Sequence, residues 1–310
     1  MSTTATSSHG SHGSHTGRIW VIASHTFTQL VRMKVFYFLG IFAVIAIASN
    51  FFDLPQHEGP EAVGASVLRS IKSWSLGAMT LFSVVLSVVA TALLLPKDAE
   101  DRTLYTILAK PVPRFDYLAG KLLGVLMLVF VSLALMDVLM SIVLQVRTNL
   151  VVEQQMEMAK ALGWPQDAAD SLRNETLESG PNASLQGAVF AVFLRASIMA
   201  SLALLISTFS TSTLFTTIVS FLIYFIGHFQ ADARDLYLQS GEAGEGVVAR
   251  FASLLLSLVL PDFQLFNVID AVIEGQAIPL IAVAKLTLVG MYYAVFFTFA
   301  SWFIFAEKEF

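Results

Sequence analysis

The chain has 310 residues, 56% of them hydrophobic and only 13% charged, with a mean hydropathy of +0.72; soluble domains hold about 45–50% apolar and about 25% charged residues, so water is not its main solvent. Cysteine is absent, which excludes disulfides, thiolate metal sites and cysteine nucleophiles. The formal net charge of −5 comes without a long basic run interleaved with aromatics, which argues against nucleic acid as a partner.

Met1 to Gly17 is rich in Ser, Thr, Gly and His and has almost nothing apolar to bury, so a disordered tail is expected over 1–17. It lacks the basic start and apolar stretch of a secretory signal. His9, His12 and His15 suit a transition metal by residue type, but the composition favours a flexible tail and no metal site is assigned. From Arg18 to Lys34 the apolar residues Ile19, Ile22, Ala23, Phe27, Leu30 and Val31 recur at helical spacing, which predicts an amphipathic helix lying on the headgroups.

Six apolar runs follow: Val35 to Phe52, Trp74 to Leu95, Leu122 to Val146, Gly187 to Thr208, Thr213 to Phe229 and Ile278 to Phe305. Each is about long enough to cross a hydrocarbon layer of about 30 Å, so an all-α polytopic membrane protein with six transmembrane helices is expected, as one domain over 18–310. Only Phe209 to Ser212 separates the fourth and fifth runs, which predicts a helical hairpin. Orientation follows from basic residues, which resist translocation. The loop 96–121 holds Lys97, Arg102, Lys110, Arg114 and Lys121, whereas 147–186 has three basic residues against six acids and 230–277 has two against seven. Loop 96–121 therefore reads as cytoplasmic, the two long loops as external, and both chain ends as cytoplasmic; Arg69 and Lys72 then fall in the first external loop. Within the long loops, Val151 to Leu162 has helical spacing before Gly163 and Pro165, and Phe251 to Leu260 is an apolar run too short to span, placed as a re-entrant or interfacial piece.

Three charges lie inside the runs. Asp137 and Arg195 each fall about eight or nine residues from the external end of neighbouring spans, so an Asp137 to Arg195 ion pair is expected, with a path-lining role and a snorkelling Arg195 as the alternatives. Lys285 either joins them or snorkels outward. Met127, Met136, Met140 and Met199 read as packing rather than a copper path. His228 is a lone interfacial histidine, and no catalytic constellation or metal motif is found, so no enzyme activity is expected of this chain.

The most specific stretch is Pro96 to Lys121. Asp98 is placed to cap a helix, Glu100 and Asp101 complement its positive start, Leu104, Ile107 and Leu108 form one apolar face, and Lys110 precedes the stop at Pro111. This predicts a compact amphipathic rod between two spans. In order, Glu100, Thr103, Leu104, Ile107, Leu108, Pro111, Val112, Arg114, Gly120 and Lys121 resemble the second cytoplasmic segment of the membrane subunits of ATP-binding-cassette type 2 transporters; Arg102 stands where many members have glycine. The N-terminal helix, the six-span layout and the Phe305 to Phe310 ending are similar too.

The resemblance implies a permease subunit in the bacterial inner membrane; no G-x-x-x-x-G-K-[ST] occurs, so ATP and Mg would be bound by a partner ATP-binding subunit. It implies that the loop helix is a coupling helix docking on that subunit, that a second permease subunit, identical or different, completes the path within membrane lipid, and that the direction is export of a substrate the sequence does not name. A non-transporting scaffold relaying ATPase motion to an external partner is the alternative.

Overall fold

The computed structural model describes residues 15–33, 37, 40–41, 44–45, 60–100, 113–210, 212–240 and 260–307, with backbone alone at 60–65, 97–100 and 231–240. Every regular element among them is helical: α1 His15–Val31, α2 Pro60–Glu100, α3 Arg114–Ala161, α4 Gln166–Glu178, α5 Ala183–Phe209, α6 Thr213–Ser240, a 3-10 turn Gln264–Phe266, α7 Ile269–Ile273 and α8 Leu280–Glu307. Five described stretches are long and apolar enough to cross a membrane, at Ser66–Pro96, Arg114–Ala161, Gln166–Phe209, Thr213–Gln230 and Leu280–Glu307. The chain is a multi-pass helical membrane protein. The expected first span, Val35 to Phe52, lies outside the described residues apart from Tyr37, Gly40, Ile41, Val44 and Ile45, which are helical.

The helices overrun the apolar runs. Hydropathy marks where a helix is dry, while backbone hydrogen bonding continues wherever the next residues tolerate it. Thus α2 spans 41 residues and carries Arg69 and Lys72 within the helix rather than in a loop. It also passes through Pro96 to Glu100, so Asp98 lies inside α2 instead of capping a new helix. A proline removes one amide donor, and the residues after it remain able to bond back. Likewise α3 runs 48 residues, about 72 Å at about 1.5 Å per residue, and absorbs the separate helix expected at Val151 to Leu162. It stops where the sequence requires: Gly163 takes a positive φ of 67°, and the Trp164 amide closes the end by donating to Ala159 O at 2.9 Å. The chain returns as α4, whose Thr176 hydroxyl donates to Gln155 of α3 at 2.8 Å, and Asn182 then caps α5 by accepting from the Leu185 amide at 2.9 Å.

Helix α5 is the axis of the bundle: 78% of its most apolar window is buried, against 17% for α8 and 22% for the α6 span. Small residues make this possible. Ala188, Ala191, Ala196, Ala200 and Ala203 are buried on it, and Ser197 and Ser201 donate to carbonyls of their own helix at 2.8 Å each, as Ser87 and Thr91 do on α2. Hydroxyls turned back onto their own backbone leave nothing polar to satisfy across a dry, close helix contact. The α5–α6 connection is the expected tight hairpin, with the Ser212 hydroxyl accepting from the Phe215 amide at the start of α6.

The largest departure concerns α1. It starts at His15, three residues before the expected Arg18, and packs lengthwise on α3 rather than across the headgroups. His15 meets Asp116, Ile22 meets Gly120, and Ala23 and Thr26 meet Gly124, a nearly constant sequence offset that makes the two helices parallel neighbours. A Cβ at Gly120 would lie 2.7 Å from Ile22 Cβ, and one at Gly124 would lie 2.6 Å from Thr26 Cβ and 2.8 Å from Ala23 O. Glycine is needed at both positions for the helices to approach. Gly124→Leu is expected to weaken α1 docking by about 1–3 kcal/mol, read by amide exchange as at least a fivefold rise confined to α1, whereas Gly77→Ala, where a Cβ meets nothing within 4 Å, leaves α1 unchanged.

Candidate functional site

The first turns of α3 form the structural centre of one end of the bundle, and they present two faces. Arg114 and Tyr117 turn to the end of α8. The last carbonyls of a helix lack intrahelical donors and carry partial negative charge, and Arg114 Nη1 donates to both Phe305 O at 2.9 Å and Ala306 O at 2.5 Å. Tyr117, fully buried, stacks on Phe305 at 6.1 Å, and Phe115 meets Trp302 edge-on at 6.2 Å. Asp116, Gly120 and Gly124, at helical i, i+4, i+8, turn to α1. The Asp116 carboxylate is 2% exposed; both oxygens face His15 Nδ1, at 3.0 and 3.2 Å, and Arg18 Nη1 lies 4.0 Å away. Lys121, also buried, holds its ammonium 5.7 Å from the Tyr117 ring centre. Arg114, Gly120 and Lys121 of the transporter-like pattern therefore serve as a helix cap, a close-contact notch and a cation–π partner.

Of the other pattern residues, Glu100 is the last residue of α2, while Thr103, Leu104, Ile107, Leu108, Pro111 and Val112 lie outside the described residues. Their segment connects the ends of α2 and α3 at this same end of the bundle. Sequence reasoning overlooked His15 and Asp116. The available signal was an acid one turn after Pro113, followed at four-residue steps by Gly120 and Gly124.

The intramembrane charges are arranged differently from expectation. Asp137 and Arg195 do not pair. Asp137 Oδ1 accepts from Gln186 Nε2 at 3.2 Å, and Phe130 packs on Phe193 at 5.7 Å, so α3 and α5 run antiparallel with a register that sets Arg195 about nine residues, or about 14 Å, from the level of Asp137. Counting depth from the ends of apolar runs failed because α3 continues past Val146 and α5 starts before Gly187. Arg195, 4% exposed, instead donates through Nη2 to Phe263 O at 3.2 Å, with Tyr224 beside it and Nε without a hydrogen-bond partner. Lys285 is exposed on α8, as a snorkelling lysine would be, and joins neither.

Phe263 belongs to a short non-helical segment, 260–263, threaded among three helices. Its amide donates to Gly227 O at 3.2 Å, Gln264 Nε2 donates to His228 O at 2.8 Å, and Tyr293 donates to Leu260 O at 3.3 Å. A Cβ at Gly227 would lie 2.6 Å from Pro261 O. This is the end of the expected re-entrant piece, for which residues 251–259 lie outside the described residues. Met136, Met140 and Met199 are buried in the apolar core, and no cluster of three potential metal ligands occurs among the described residues.

No protein-family model matches the chain, and no curated protein matches it. What the helices themselves establish is the class, a polytopic helical membrane protein.

Two outcomes test these geometries. Asp116→Ala is expected to raise α1 amide exchange about threefold to tenfold, because the buried acceptor is lost while His15 and Arg18 can rehydrate. Arg195→Met and Asp137→Asn are expected to destabilise additively, within about 0.5 kcal/mol by denaturation in detergent, since they serve separate contacts; Arg195→Met is the costlier because it orphans a buried carbonyl, by about 1–3 kcal/mol.

Proposed function

We propose that the chain is the permease subunit of an ATP-driven transporter of the ATP-binding-cassette type 2 kind, acting as an exporter in the bacterial inner membrane. The observation that carries this reading is the ordered match of Glu100, Thr103, Leu104, Ile107, Leu108, Pro111 and Arg114 to that family's coupling segment. Its position supports the reading mechanically. The segment links α2 to α3, and within the first turns of α3 Arg114 grips α8 while Asp116 and Gly120 grip α1. A force applied to this segment by a partner ATPase therefore acts on four helices together. The end of the bundle formed around the first turns of α3, its platform end, is cytoplasmic in this proposal, in keeping with the basic residues of loop 96–121. ATP and Mg belong to the partner subunit, and a second permease subunit completes the path, a reading supported by the close packing of α5 at the bundle axis among the described residues.

A second reading is favoured by one observation. The end of α3 and the antiparallel α4 make a polar hairpin beyond the apolar part of the bundle, a handle through which ATPase strokes would move an external partner without transport.

The purified chain with its ATPase, reconstituted in proteoliposomes, is expected to show ATP-dependent export, and Leu104→Ser/Ile107→Ser/Leu108→Ser is expected to lower ATPase co-purification and flux at least tenfold with the bundle still folded. ATPase capture without flux of any cargo favours the scaffold. Full function of the triple variant without an ATPase refutes both.

A further inference from the structure

The end of α2 opposite the platform holds an unusual side chain. Lys72 is 2% exposed, yet it makes no hydrogen bond and no ion pair among the described residues. One turn further on the same face, the Ser75 hydroxyl is fully buried and also has no partner. Arg69, one turn back, is exposed and close enough to add like-charge repulsion. A buried ammonium without a counter-charge is strongly unfavourable, and a second cation beside it makes the arrangement worse. Lysines at membrane edges normally avoid this by extending their stems to water. Lys72 lies only about 9 Å along the helix from Ser66, and only 2% of its surface is exposed.

Its depth identifies what is missing. The span Ser66–Pro96 has 31 residues, about 46 Å of helix against about 30 Å of hydrocarbon. Centred on that hydrocarbon, the span leaves about 8 Å at each end in the headgroup layer, which puts the Lys72 backbone at the boundary between hydrocarbon and headgroups, where an extended lysine stem reaches outward to a phosphate. Trp74, 68% exposed two residues on, marks the same interface. We infer that Lys72, Ser75 and Arg69 form a binding site for a phosphoryl oxyanion at this end of the bundle, a phosphate whose oxygens would accept from the ammonium, the hydroxyl and the guanidinium together. The exposed Arg69 provides the approach, and the flexible lysine stem brings the buried charge to the ligand. A lipid phosphodiester and a soluble phosphate share this chemistry. The site does not depend on the transport reading.

The test uses the purified full chain in detergent, titrated separately with phosphatidylglycerol, with diacylglycerol, which has no phosphate, and with inorganic phosphate, while Tm and native mass spectra are recorded. Phosphatidylglycerol is expected to raise Tm by several degrees through mass action and to remain bound, and diacylglycerol to do neither. Lys72→Met is expected to lose about tenfold or more in affinity, Ser75→Ala less, and Lys72→Arg little. A response to inorganic phosphate but not to phosphatidylglycerol keeps the oxyanion site and assigns it a soluble ligand. Without any added phosphate, Lys72→Met is expected to be at least as stable as the parent, since it removes an unpaired buried charge. A marked loss of stability there would mean that Lys72 has a partner within the chain and would overturn the proposal. So would the absence of any response to either phosphate compound, or an equal response from Lys72→Met.

Discussion

Inside an apolar bundle a backbone carbonyl has no water to turn to, and this requirement shapes most of what the molecule does with its polar residues. Helices meet it for themselves. Among the described residues an exception is the segment 260–263, and there Arg195, Tyr293 and Gln264 are committed to backbone partners rather than to one another. An arginine that reads from sequence as half of an ion pair is thus the donor that allows an irregular stretch of chain to lie against three helices. Gly227 completes the arrangement by permitting the closest approach.

The same requirement explains the central helix. α5 carries alanines and serines on nearly every side, and its serine hydroxyls bond to carbonyls of the preceding turn. Lipid offers apolar side chains no less than the bundle does, so close fit rather than hydrophobicity brings helices together. Large apolar side chains accordingly populate the outer faces of α6 and α8, where Leu222, Phe225, Leu288 and Phe299 are exposed.

At the platform end, fit and charge act together. Gly120 and Gly124 bring α1 against α3, Asp116 ties its first turn, and Arg114 secures α8 by its terminal carbonyls. All of these residues lie within eleven positions of the chain, 114–124, overlapping the end of the transporter-like segment. Proximity in sequence has become a junction of three helices.

The sequence by itself determined the solvent, the helical class and five of the dry spans, because a run of apolar residues long enough to cross a bilayer can be satisfied there only as helix. It also determined local stops such as Gly163 with Pro165 and the Ser212 turn, which depend on neighbouring residues alone. Tertiary structure decided the rest. How far α2 and α3 continue past their apolar runs sets the register between helices, and that register separates Asp137 from Arg195; no local pattern contains it. The path of α1 along α3 was equally hidden, since an amphipathic stripe states that one face is apolar and not whether lipid or a glycine-notched helix will cover it. Lys72 shows the limit most clearly: its residue type and position suggested a solvated loop, and only the packing around α2 made it a buried charge.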